Sequence, residues 1–66
     1  MAYEYIAQTY GLIFRPGQKV SFTEYSPPRS AVVCREDKGN AHYVRIRFDG
    51  RRDTSLAHPR SLEPIT

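Results

Sequence analysis

The side chains able to do nucleophilic or metal chemistry are few and far apart. Cys34, His42 and His58 are the soft ligands, separated by seven and fifteen intervening residues. Zinc sites usually draw their ligands in close pairs, and neither Cys-x-x-Cys nor His-x-x-x-His occurs in this chain. A Cys/His nucleophile also needs a third group to orient its base, and the sequence implies none. Cys34 follows Val32 and Val33, the setting of a buried and inert thiol. His58 precedes Pro59 and suits the cap of a tight turn better than a general base. Asp49 and Asp53 are near enough to share a carboxylate site, but Asp49-Gly50 is first of all a hairpin signal. The expectation is a non-enzyme that holds no metal and no cofactor.

The cations are more informative. The formal net charge of +3 is unevenly distributed. Residues 1–28 balance Arg15 and Lys19 against Glu4 and Glu24. Residues 29–60 set Arg29, Arg35, Lys38, Arg45, Arg47, Arg51, Arg52 and Arg60 against Glu36, Asp37, Asp49 and Asp53, a local excess of four. Eight of the ten basic residues are arginine, whose planar fork grips phosphate or carboxylate bidentately and stacks on rings. That composition favours an anionic partner.

What those cations do depends on the elements that carry them. At 66 residues the chain has room for one small domain, and its eight aromatic residues argue for a packed core. No apolar run approaches the roughly 20 residues of a membrane span, and no signal-peptide pattern opens the chain. One cysteine forms no internal disulfide, so a reducing cytoplasm is the expected location.

From residue 18 onward the pattern is strand and turn. Val20 and Phe22 alternate with Lys19, Ser21 and Thr23, and Ser26-Pro27-Pro28-Arg29 breaks the run. Ser30 to Arg35 is β-branched and compact, and Asp37-Lys38-Gly39-Asn40 reads as a hairpin connection. His42 to Phe48 alternates sharply, with Val44, Ile46 and Phe48 inward and Tyr43, Arg45 and Arg47 outward. Asp53 to Ala57 returns after the Asp49-Gly50 turn. His58 to Ser61 suits a 3-10 turn opened by Pro59, and Leu62 to Ile65 makes a last strand. The expected core is Val20, Phe22, Val33, Val44, Ile46, Phe48, Leu56, Leu62 and Ile65. The first ten residues fit a strand (Tyr3, Tyr5 and Ala7 on one face) and a helix (Tyr3, Ala7 and Tyr10) equally well.

This pattern predicts an all-β fold: a small barrel of about five short antiparallel strands with a 3-10 turn before the last. Closing so small a sheet into a barrel hides its wet face and open edges. Residues 12–66 form the barrel and residues 1–11 an N-terminal arm or extra strand.

The segment Leu12-Ile13-Phe14-Arg15-Pro16-Gly17-Gln18-Lys19-Val20 resembles the opening of SH3-like barrels. Val44 to Gly50, followed by Ser61-Leu62-Glu63-Pro64-Ile65, is similar to the close of Tudor- and KOW-type members of that superfamily. The order of elements over residues 12–65 also resembles small barrel proteins of bacteria and their phages. The resemblance implies the fold, while each function of the superfamily must be matched residue by residue. Polyproline recognition needs tryptophan and paired aromatics, and this chain has no tryptophan. A Tudor-type aromatic cage would draw on Tyr25, Tyr43 and Phe48, but Phe48 shares the inward register of Val44 and Ile46. The type II dihydrofolate reductases share the barrel and its size, but their Gln-Ile-Tyr segment is absent.

Two functions of different class follow. KOW-type domains imply nucleic-acid binding, here through Arg35, Lys38, Tyr43, Arg45, Arg47, Arg51 and Arg52, with arginine on phosphates and Tyr43 on a base. The competing account is that Arg45 and Arg47 are ordinary solvent-facing residues paired with Asp49, Asp53 or Glu36. The alternative function is a protein-interaction or assembly factor, with DNA and RNA replaced by a protein partner or by self-association through Tyr3, Tyr5 and Tyr10.

Overall fold

The computed structural model describes residues 2–36, 39 and 42–65. In chain order it contains α1 (Ala2–Tyr10), β1 (Lys19–Phe22), β2 (Arg29–Val33), β3 (Val44–Phe48), β4 (Ser55–Ala57), a 3-10 turn (Pro59–Ser61) and β5 (Leu62–Pro64). The strands form one antiparallel sheet in the order β4-β3-β2-β1-β5, curled into a half-barrel. The expected strand count, the mostly β character and the 3-10 turn before the last strand are all present. Lys38, with most of the expected Asp37–Asn40 turn, lies outside the described residues.

Period-two alternation sets the core. Val20, Val33, Val44, Ile46 and Leu62 are buried as expected, and Phe22 and Phe48 pack half-buried against them. Ala31 and Ala57 are buried as well, each opposite a larger partner in the ladder: Ala31 faces Phe48 and Ala57 faces Val44.

Leu56 and Ile65 depart from the expected core, being 45% and 46% exposed. The register explains both. Ala57 faces inward, so Leu56, opposite Arg45, must face outward. Leu62 faces inward opposite Phe22, which sends Glu63 out. Three residues beyond Leu62, Ile65 falls on the outer side, where its N–H donates to the Lys19 carbonyl at 3.0 Å.

The N-terminal residues form a helix that completes the core rather than an arm or an extra strand. Tyr3 and Ile6 are buried and Tyr10 packs at the margin, the i, i+3, i+7 spacing of one helix face. A helix of nine residues is marginal alone, so its ends matter. The Tyr3 N–H, one of the unpaired donors at the helix start, donates to Glu36 Oε1 at 2.6 Å. Gly11 closes the other end by donating to the Ala7 carbonyl at 2.9 Å. Phe14 follows into the core.

Two turns set the strand approaches. The Gln18 N–H donates to the Arg15 carbonyl at 3.0 Å across Pro16-Gly17, and Gly17 takes φ +88°, as the third position of a type II turn requires. After β3, the Arg51 N–H donates to the Phe48 carbonyl at 3.0 Å, with Gly50 at φ +83°. His58 caps the 3-10 turn as expected, its Nδ1 accepting the Arg60 N–H at 3.1 Å. Among the described residues no helix is long and apolar enough to cross a membrane.

Candidate nucleic-acid interface

The outer face of β3 follows from its sequence. Val44 and Ile46 turn into the core, which leaves Arg45 and Arg47 outside, about 7 Å apart along the strand. Tyr43, just before the strand, continues the row and is 42% exposed. On one side Arg45 stands opposite Leu56 of the edge strand β4. On the other, Arg47 stands opposite Val32, which in turn stands opposite Lys19 of β1. The face is therefore a band of cations interleaved with apolar residues, bordered at one end by a tyrosine.

The carboxylates expected to pair with Arg45 and Arg47 are engaged by other groups. Asp49 is paired with Lys19 at 3.0 Å, and Asp53 with Arg51 at 3.3 Å. The hydrogen bond from Arg51 holds the Asp53 carboxyl below its ordinary range. Glu36 accepts the helix N–H of Tyr3. Arg45 Nε instead donates to Thr54 Oγ1 at 3.2 Å, and Arg47 is exposed. Among the described residues, no carboxylate lies within 4 Å of Arg35, Arg45, Arg47 or Arg52. Pairing of Arg45 or Arg47 with Asp49, Asp53 or Glu36 is thus not what the structure contains.

The tyrosines of the N-terminal segment do not share one surface. Tyr3 is only 8% exposed. Its hydroxyl donates to the Cys34 carbonyl at 2.7 Å and accepts the Arg45 N–H at 3.2 Å. Tyr5 is exposed and meets His42 edge-on, with ring centroids 5.3 Å apart. Tyr10 is half-buried, edge-on to His58 at 5.4 Å and beneath the Arg60 guanidinium at 5.4 Å. As a buried residue, Tyr3 is not part of a contact surface in this fold.

Three residues that the sequence did not place with the band adjoin it: Tyr10, expected only as a self-association residue, together with His58 and Arg60. The β3–β4 register brings His58 to Tyr43, one step beyond the Val44–Ala57 pair, and their rings stand 6.4 Å apart. The alternation of β4 carried that signal, but only once its register was known.

The aromatic-cage residues separate. Tyr25 and Phe48 come together with Phe22, at centroid distances of 5.2 to 6.0 Å, while Tyr43 lies beyond the other end of β3. The guanidinium of Arg29 lies over that cluster, 5.5 Å from the Tyr25 centroid and 5.2 Å from that of Phe48. The cluster is thus lidded by a cation of the chain itself.

Cys34 is half-buried. Among the described residues no three His, Cys, Asp or Glu side chains gather where they could hold a metal ion. Comparison with protein-family models, with curated proteins and with solved structures returned no match for this chain.

Proposed function

We propose that the protein is a non-catalytic module that binds nucleic acid through the outer face of β3. The observation that supports this most is the pair of unneutralised arginines, Arg45 and Arg47, in line with the exposed ring of Tyr43. Neither guanidinium has a carboxylate partner, and Arg47 is exposed, while Arg45, half-buried with its Nε on Thr54, keeps its terminal nitrogens for a phosphate. Arg52 in the following turn and Arg35 after β2, neither with a carboxylate within 4 Å among the described residues, extend the positive field, whereas the charge of Arg51 is matched by Asp53. The resemblance to KOW-type barrels points the same way.

Phosphate neutralisation makes the binding salt-dependent. Full-length protein titrated with short DNA and RNA across a salt range should bind tightly at low salt and lose affinity linearly in log–log form. The double variant Arg45→Ala/Arg47→Ala should keep its fold, bind more weakly to every sequence, and show a slope reduced by about 1.4 on single strands. Absence of binding at low salt, or a double variant that binds like the parent, rejects this function.

A further inference from the structure

We infer that the nucleic acid is single-stranded, and that one of its bases stacks on Tyr43, an aromatic seat whose ring His58 and, behind it, Tyr10 hold in place, with Arg60 extending the cation row. This rests on the nucleic-acid reading above and adds a site to it.

The seat lies where α1, the start of β3 and the 3-10 turn converge. Val44 pairs with Ala57, so the residues one step outward, Tyr43 and His58, face each other, and Tyr10 reaches His58 from the helix. The rings meet edge to face, at interplanar angles of 79° and 76°, so no two of them are stacked flat on each other. The Tyr10 ring is half-buried beneath Arg60, whereas Tyr43 meets His58 at an angle rather than stacked and is 42% exposed, so Tyr43 is the ring that can offer a face to a base. His58 is held in position, because its Nδ1 accepts the Arg60 N–H at 3.1 Å. That bond leaves Nε2 as the free edge of the ring.

Charge complementarity runs through the same place. Arg47 and Arg45 lead along the outer face of β3 to Tyr43, and Arg60 lies over Tyr10; among the described residues none of the three has a carboxylate within 4 Å. Arg60 is exposed, and its guanidinium is held over the Tyr10 ring at 5.4 Å. Cations on either side of an exposed ring suit a backbone whose bases are splayed out. In a duplex the bases are already stacked on one another and offer only edges, so the seat would stay empty.

Fluorescence anisotropy of one labelled oligonucleotide, single-stranded and then annealed to its complement, tests this at a fixed low salt. The wild-type chain should prefer the single strand. Quenching of its intrinsic fluorescence, which comes from tyrosine because the chain has no tryptophan, should accompany single-strand binding. Tyr43→Ala should weaken single-strand binding about five- to 150-fold and leave duplex binding unchanged. Tyr43→Phe should restore it, while Tyr43→Leu, which keeps bulk without an aromatic face, should not. Thermal unfolding of each variant confirms that the fold is retained, as an exposed position allows. If the alanine and leucine variants bind single strands normally, or lose single strand and duplex alike, the seat is wrong. Should both oligonucleotides still respond to Arg45→Ala/Arg47→Ala in that case, the nucleic-acid function stands without the seat. A wild-type chain that binds neither oligonucleotide overturns both.

Discussion

The hydroxyl of Tyr3 accepts the backbone N–H of Arg45 at 3.2 Å while donating to the Cys34 carbonyl at 2.7 Å. One phenol thus satisfies two main-chain groups at the end of the β2–β3 ladder, where the Cys34 N–H also donates to the Arg45 carbonyl at 2.8 Å, and ties α1 to the strand that bears the candidate arginines. Tyr3→Phe keeps the buried ring and removes only this oxygen. Two partly buried groups then lose their partner, so the variant should be less stable by about 1–3 kcal/mol. Urea unfolding with an unchanged m-value measures it. A loss below about 0.5 kcal/mol would mean that water replaces the phenol without penalty.

The same residue gives the fold an alkaline limit. Burial pushes the Tyr3 phenol above its ordinary value of 10.0, only partly offset by the Arg45 N–H that favours the phenolate. Above pH 10 the unfolded chain releases this proton while the folded chain retains it. Stability tied to Tyr3 is therefore fully present below pH 10 and declines as pH rises through the folded-state value. Unfolding free energies compared between about pH 9 and pH 11 should fall more steeply for wild type than for Tyr3→Phe. Equal slopes would show that Tyr3 titrates as it does in the unfolded chain.

Helix α1 should behave as core and not as an appendage. Ile6 is fully buried among sheet residues, so Ile6→Ala should cost about 2–5 kcal/mol, enough to unfold much of so small a domain. Leu56→Ser, on the outer face, should change stability by no more than about 0.5 kcal/mol. Circular dichroism melts of the two variants compare these directly. The reverse order would mean that β4 is shifted by one residue and that α1 packs loosely.

These contrasts show which parts of the fold local sequence can specify. Val44, Ile46 and Phe48 alternate with Arg45 and Arg47, and only one pleat orientation keeps the arginines in water, so β3 and its cationic face were readable directly. Leu56 and Ile65 were not. Their sides are decided by Ala57 and Leu62, and a lone apolar residue on a sheet surface is no anomaly. The helix was beyond local reading for a different reason. Tyr3, Tyr5 and Ala7 satisfy a strand, while the partners that select the helix, Glu36 and the backbone of Cys34 and Arg45, are more than thirty residues away. The candidate site divides the same way: Tyr43, Arg45 and Arg47 share one strand, whereas Tyr10, His58 and Arg60 join them only through register and helix packing.

The Lys19–Asp49 pair offers a test in which binding should improve. Lys19 and Arg47 flank Val32 on the outer face, but Asp49 holds the lysine ammonium at 3.0 Å and cancels its charge. Both partners are about half exposed, so breaking the pair should change stability by no more than about 1 kcal/mol. Asp49→Asn removes the carboxylate charge and releases Lys19 to a phosphate beside the one at Arg47. Affinity for a single strand should rise, and its log–log salt slope should steepen by about 0.7, the increment for one further phosphate contact. Adding Lys19→Ala to the same variant should return the slope to the wild-type value, because the effect belongs to that ammonium. If Asp49→Asn leaves affinity and slope unchanged, β1 does not border the nucleic acid and the contact is confined to β3 and the turn after it.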